Sequence, residues 1–160
     1  MQRRIGIVVL SAVLIAGFAA FATAEEGAWM DMAGCDMCKH LGANPEMLNN
    51  MTWNHYDIKD GIMSVCTVTD EYAGAYAEAC TMMDATSMKM MAGEEIALCN
   101  MCTELSGMMM AGAGMEKVDT DFGNVNLATS DDEAMVARLH AWAEKTRTEM
   151  AKMDSPKEKE

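Results

Sequence analysis

The chain carries an internal duplication. Slid along itself at one constant offset, the sequence superposes Asp57 on Asp119, Gly61 on Gly123, Thr67 on Thr129, Asp70 on Asp132, Glu71 on Glu133, Ala75 on Ala137, Ala79 on Ala141 and Met88 on Met150. Self-similarity at a fixed period points to two copies of one supersecondary unit, each burying its apolar face against the other. The expected fold is therefore built from a unit and its copy.

Within each copy the local signals agree. Residues 53–58 and 62–69 are rich in β-branched and aromatic side chains and flank Lys59-Asp60-Gly61, an Asp-Gly turn that predicts a hairpin. The second copy runs over 115–120, turns at Asp121-Phe122-Gly123 and returns over 124–129. A helix is predicted after each hairpin. In the first, Thr69 or Asp70 can cap and Tyr72, Tyr76, Ala79/Cys80 and Met83 form one apolar stripe. In the second, Ser130 and Glu133 have capping-box spacing ahead of a stripe through Met135/Val136, Leu139, Trp142/Ala143 and Met150. Gly93 breaks the Met-rich stretch between copies, and Glu94 and Glu95 are expected to open a new helix. The predicted fold class is α+β: two tandem α-β-β-α repeats, about 29–92 and 93–153, forming a four-stranded antiparallel sheet with helices packed on it, pseudo-twofold symmetric.

Each copy is entered through a CxxC motif, Cys35/Cys38 in the first and Cys99/Cys102 in the second, at an offset slightly longer than that of the shared body. Sulfurs at i and i+3 share one helical face, and a pseudo-twofold axis can bring both pairs together. Four thiolates make a tetrahedral set for Zn²⁺, and Cu(I) takes two or three of them. The stretch from Cys38 to Cys99 is far longer than the spacer of about 15 to 20 residues in zinc ribbons, so only the repeat argument unites the pairs. The same spacing also serves dithiol switches and local disulfides. Just beyond Cys38, His40 offers a nitrogen ligand, while Glu104 holds the matching position in the second copy. Lys39 interrupts what would be a CxxCH haem attachment site, so no haem is expected.

Cys66 and Cys80 stand apart from the motifs. Alternation along the strand sets Ile62, Ser64 and Cys66 on the face opposite Met63, Val65 and Thr67. We read the first set as turned away from the helices, with Cys80 on the helix stripe, so these two cysteines are not expected to form a disulfide.

The chain contains 20 methionines, far above ordinary usage, clustered as Met30/Met32, Met82/Met83, Met88/Met90/Met91 and Met108 to Met110. Met37 lies inside the first CxxC and Met101 inside the second. Thioethers are soft ligands suited to Cu(I) or Ag(I), and we count Met37 and Met101 as candidate supporting ligands. Methionine equally fills cores where leucine would serve, and a Met-rich surface can bind a protein partner.

Residues 1–24 read as a secretory signal: Arg3 and Arg4, an apolar run from Ile5 to Phe21, then Ala22-Thr23-Ala24. The expected product is exported, periplasmic or extracellular, with no membrane anchor in its mature form. Losing the two arginines moves the formal charge from −13 to −15. A field of that sign gathers cations and repels nucleic acid, which is excluded as a partner. One domain over 25–153 is expected, followed by a charged, disordered tail over 154–160.

The sequence holds no Ser/His/Asp constellation and no glycine-rich phosphate loop, so nucleotide and hydrolytic chemistry have no support. The favoured reading is a non-enzymatic, extracytoplasmic soft-metal protein, copper or zinc, for handling or storage. Its alternatives are a CxxC thiol-disulfide oxidoreductase and a disulfide-stabilised partner-binding module. The oxidoreductase lacks the βαβ crossover that such folds use, and Pro45 is the lone proline available to it in the folded region.

Overall fold

A computed structural model describes residues 27–154. The predicted signal segment lies outside the described residues, as does the predicted tail apart from Asp154, which ends the last helix.

The strands form where the β-rich runs and their turns placed them. β1 (Met51–Ile58) and β2 (Gly61–Val68) make the first hairpin; β3 (Gly114–Thr120) and β4 (Gly123–Thr129) make the second. The hairpins join through β2 and β4 into one antiparallel sheet of order β1-β2-β4-β3. In that central register Ser64 faces Asn126, Gly61 faces Thr129 and Thr67 faces Gly123. Both tight turns end on a glycine. Gly61 and Gly123 have φ of +156° and +146°, and a Cβ on either would collide with the neighbouring strand, at Ala128 O and Cys66 O respectively. Glycine thus opens the turn and lets the two hairpins close against each other.

The helices cover one face of the sheet. Along β2 the buried residues are Ile62, Ser64, Cys66 and Val68, whereas Met63 and Val65 are half-buried and Thr67 is exposed. This corrects the orientation expected for Cys66, which faces the helices. Alternation defines two faces of a strand without saying which one is covered. Here Trp53 and His55 stand directly across from Cys66 and Ser64 on β1, so the aromatic face is the one that takes the helices.

α5 (Glu133–Asp154) lies across β1, β2 and β4 and buries Met135, Leu139, Trp142, Ala143 and Thr146, a helical stripe close to the predicted one. Its start is held by Asp132, whose carboxylate accepts the Ala134 N–H at 2.9 Å, while Ser130 accepts from Asp132 at 3.1 Å. The cap therefore falls on Asp132 and not on a Ser130/Glu133 box. The first copy enters its helix through a 3-10 turn, Asp70–Tyr72, with no side-chain cap from Thr69, and continues as α3 (Ala73–Met91).

The entrance segments differ between the copies. In the first, Cys38 leads into α1 (Lys39–Gly42), and Pro45 then restarts the chain as α2 (Pro45–Asn49), capped by Asn44. In the second, a single helix, α4 (Asn100–Met110), follows Cys99. Its onset is later than Glu94/Glu95 because residues 94–99 run extended alongside the first motif: Asp36 N–H donates to Ala97 O at 2.7 Å and the Ala97 N–H returns to the Asp36 carboxylate at 2.9 Å. Among the described residues no helix is long and apolar enough to cross a membrane.

Candidate metal centre

The contacts that delay α4 also assemble a site. Residues 27–31 cross the start of α4, where Met101 N–H donates to Trp29 O at 2.9 Å and the Asn100 side chain to Gly27 O at 2.5 Å. Trp29 is buried, its indole N–H donating to Thr146 Oγ1 at 3.2 Å, and Lys145 Nζ lies 4.1 Å over its ring. On the other side Trp142 donates to Met101 O at 3.0 Å. Asp31 closes a turn by accepting the Ala33 and Gly34 N–H groups at 2.9 and 2.8 Å, which delivers Cys35 to the interior. The two CxxC loops are thus tied together through Asp36 and Ala97 and pinned onto α5.

The result is a cluster of four sulfurs from Cys35, Cys38, Cys99 and Cys102, all within 4.8 Å of one another. Cys38 Sγ lies 3.8 Å from Cys99 Sγ and 3.5 Å from Cys102 Sγ. All six cysteines of the protein are free thiols. The fit to a metal is direct: four thiolates at about 2.3 Å from a central ion form a tetrahedron with edges of roughly 3.8 Å.

Backbone N–H groups point at the sulfurs. Cys38 N–H donates to Cys35 Sγ at 3.5 Å, an outer contact that stabilises thiolate charge. At Cys99 the backbone N–H groups of Cys102 and Asp31 act to lower the thiol, against its burial. The start of α4 adds a favourable dipole for Cys99 and Cys102.

In the metal-free cluster the four thiols share their protons. Hydrogen bonding from Cys102, and then from Cys35 and Cys99, lowers the Cys38 pKa to about 6, against burial and the Asp31 charge. Cys102 is pushed far up, first because its proton is held by Cys38 and then by burial, and burial also raises Cys99. Cys38 is thus the sulfur that gives up its proton most readily, and Cys102 the one that keeps it.

The other candidate ligands make contacts of their own, with Met101 and Met37 in the same core cluster as the four cysteines. His40 Nε2 sits 3.2 Å from Thr86 Oγ1 on α3, outside the four-sulfur set. Met37 Sδ accepts the Ser87 hydroxyl at 3.8 Å. Met101 is buried in the core and engages Trp142 and Trp29 through its backbone. Sequence reasoning missed the holding groups Trp29, Asp31 and Asp36; the Asp-x-x-Gly turn of Asp31 and Gly34 just ahead of Cys35 was the legible signal for one of them.

No protein-family model, curated protein or solved structure gives a significant match to this chain.

Proposed function

We propose that the protein binds a soft d¹⁰ metal ion, zinc or copper, outside the cytoplasm, and that it holds or hands on that ion without catalysing a reaction. Cys35, Cys38, Cys99 and Cys102 are the ligands. The observation that carries this reading is the sulfur spacing: four thiols from segments distant in the chain lie within 4.8 Å of one another, and Cys38 stands 3.8 and 3.5 Å from Cys99 and Cys102, near the edge of a tetrahedral thiolate site. The ion supplies a positive centre that neutralises the thiolates; the chain supplies position, hydrogen bonds and exclusion of water.

The acidic surface suits this task by raising the local concentration of cations. The hairpin registers support a duplicated origin. Asp57 pairs with Ile62 in the first hairpin, and at the same offset Asp119 pairs with Asn124 in the second. Export, read from the signal over 1–24, puts the site where free thiols need protection, which a bound ion provides.

One observation favours a redox reading, the depressed Cys38 thiol. Against it, Cys35 and Cys38 are only 1% and 3% exposed, so a dithiol-exchange partner has no approach to either sulfur.

Anaerobic titration of the reduced mature protein with Co²⁺ tests the proposal. The expected result is one ion per chain, thiolate-to-cobalt charge-transfer absorption, four of six thiols protected from alkylation, and displacement by Zn²⁺. Failure to bind metal, with conversion to two Cys-x-x-Cys disulfides in air, overturns it.

A further inference from the structure

Away from the four-cysteine cluster, the covered face of the sheet and helices α3 and α4 enclose a cleft of about 620 Å³. The wall of this cleft is chemically unusual. Eight of its lining residues are methionine against two leucines, although leucine would fill the same apolar space. Cys66 and Cys80 also line it, and both pack in one apolar cluster with Tyr76. Asn124, the β4 residue directly across from Cys66, reaches Cys80 Sγ with its side-chain amide, so one free thiol from β2 and one from α3 converge on the same wall of the cleft. Met83 lies one turn beyond Cys80 on α3, and Met51 approaches from β1; both pack against the apolar cluster that contains Cys66.

We propose that this cleft is a second metal site, distinct from the four-cysteine centre, that takes one monovalent d¹⁰ ion, Cu(I) or Ag(I), between Cys66 and Cys80 with thioether support from Met83 and Met51. Donor softness argues for the ion class. Two thiolates satisfy a linear d¹⁰ ion, and neutral thioethers add to its shell without adding charge; Zn²⁺ prefers four strong donors and finds only two here. Charge balance is built in. Binding exchanges two S–H protons for one monovalent cation and leaves a bis-thiolate complex of charge −1. The Lys117 ammonium, which lines the cleft and pairs with Asp84 at 3.1 Å, is close enough to Cys80 to act on its thiol electrostatically. The Asn124 amide donates to Cys80 Sγ at 3.6 Å, the kind of outer contact that steadies a ligating sulfur.

A route from solvent is present. Met91 and Met110 line the cleft and are 77% and 84% exposed, so thioethers extend from the surface to the interior on an acidic molecule that concentrates cations.

Native mass spectrometry of the reduced protein, first loaded with Zn²⁺ and then given Ag⁺ as a redox-inert probe, tests the site. The expected species holds one zinc and one silver. Cys80→Ser removes the silver and keeps the zinc, and Met83→Leu, which preserves the apolar volume, weakens silver binding roughly tenfold. Half-exposed Cys80 becomes protected from alkylation by Ag⁺ and not by Zn²⁺. The proposal is overturned if silver enters only by displacing zinc, or if the zinc-silver species persists in Cys80→Ser. Failure of the four-cysteine reading looks different: zinc is then absent while silver still protects Cys80.

Discussion

His55 offers a quantitative test of the packing that backs the metal centre. It stands on β1, 4% exposed, between Trp53 at 5.1 Å and the edge of Trp142 at 5.2 Å. Its Nδ1 shares a 2.7 Å hydrogen bond with Ser64, while Nε2 has no partner among the described residues. Burial, and secondarily the Arg147 guanidinium, lowers its pKa to about 4 from an ordinary value near 6.5. The neutral ring is therefore the folded form. Between these two values the unfolded chain binds the extra proton, so stability falls as pH drops from 6.5 toward 4. The full contribution is about 3 kcal/mol, of which about 2 kcal/mol is lost between pH 7 and pH 5. Denaturant unfolding of the metal-free, reduced protein, followed by tryptophan fluorescence at the two pH values, gives that loss. His55→Phe keeps an aromatic ring between the tryptophans and removes the titration, so its drop over the same interval should be smaller by about 2 kcal/mol. Carboxylates titrate alike in both proteins and cancel. Equal drops, or an imidazole resonance of His55 that titrates near 6.5, would refute the reasoning.

Three further perturbations act on separate parts of the molecule. Leu139→Ala removes a fully buried side chain from α5 in the main core and should cost about 2–5 kcal/mol in denaturant unfolding, with the slope unchanged. Gly61→Ala forces a Cβ against Ala128 O at positive φ, and we expect a loss of about 1–3 kcal/mol together with disturbed amide signals in β4; an unchanged stability would show that the hairpins are not held this tightly. Cys38→Ser replaces the sulfur that stands within 3.8 Å of both Cys99 and Cys102 with a hard oxygen. It should abolish tetrathiolate cobalt absorption while leaving the far-ultraviolet circular dichroism of the sheet intact.

The strands were readable because two hairpins with Gly-terminated turns leave strong local signals, and alternation bounded all four closely. Capping was less legible. Asp132 and Ser130 are both competent caps, and hydrogen-bond geometry alone chose Asp132. The late start of α4 had no local cause at all, since residues 94–99 stay extended to pair with Asp36, far earlier in the chain. The four cysteines were legible as a group through the repeat, but the orientation of Cys66 was not. A strand's alternation is symmetric between its faces, and the deciding contact, Trp53 opposite Cys66, belongs to pairing rather than to pattern. For the same reason Cys66 and Cys80 read as unrelated in sequence and meet only in the apolar cluster that also holds Tyr76.

The two sulfur sites differ in what the chain does before an ion arrives. At the four-cysteine cluster the Asp36–Ala97 and Trp29–Met101 hydrogen bonds hold the loops together without any ligand, so little of the binding energy is spent on ordering them. What opposes metal there is proton release from the thiols. In the cleft the ligands are flexible and the walls accessible, so the proposed ion would enter and leave through thioethers at modest cost. Preorganisation favours retention; a plastic, open site favours exchange. A molecule combining both would keep one ion as part of its architecture and trade another with its surroundings.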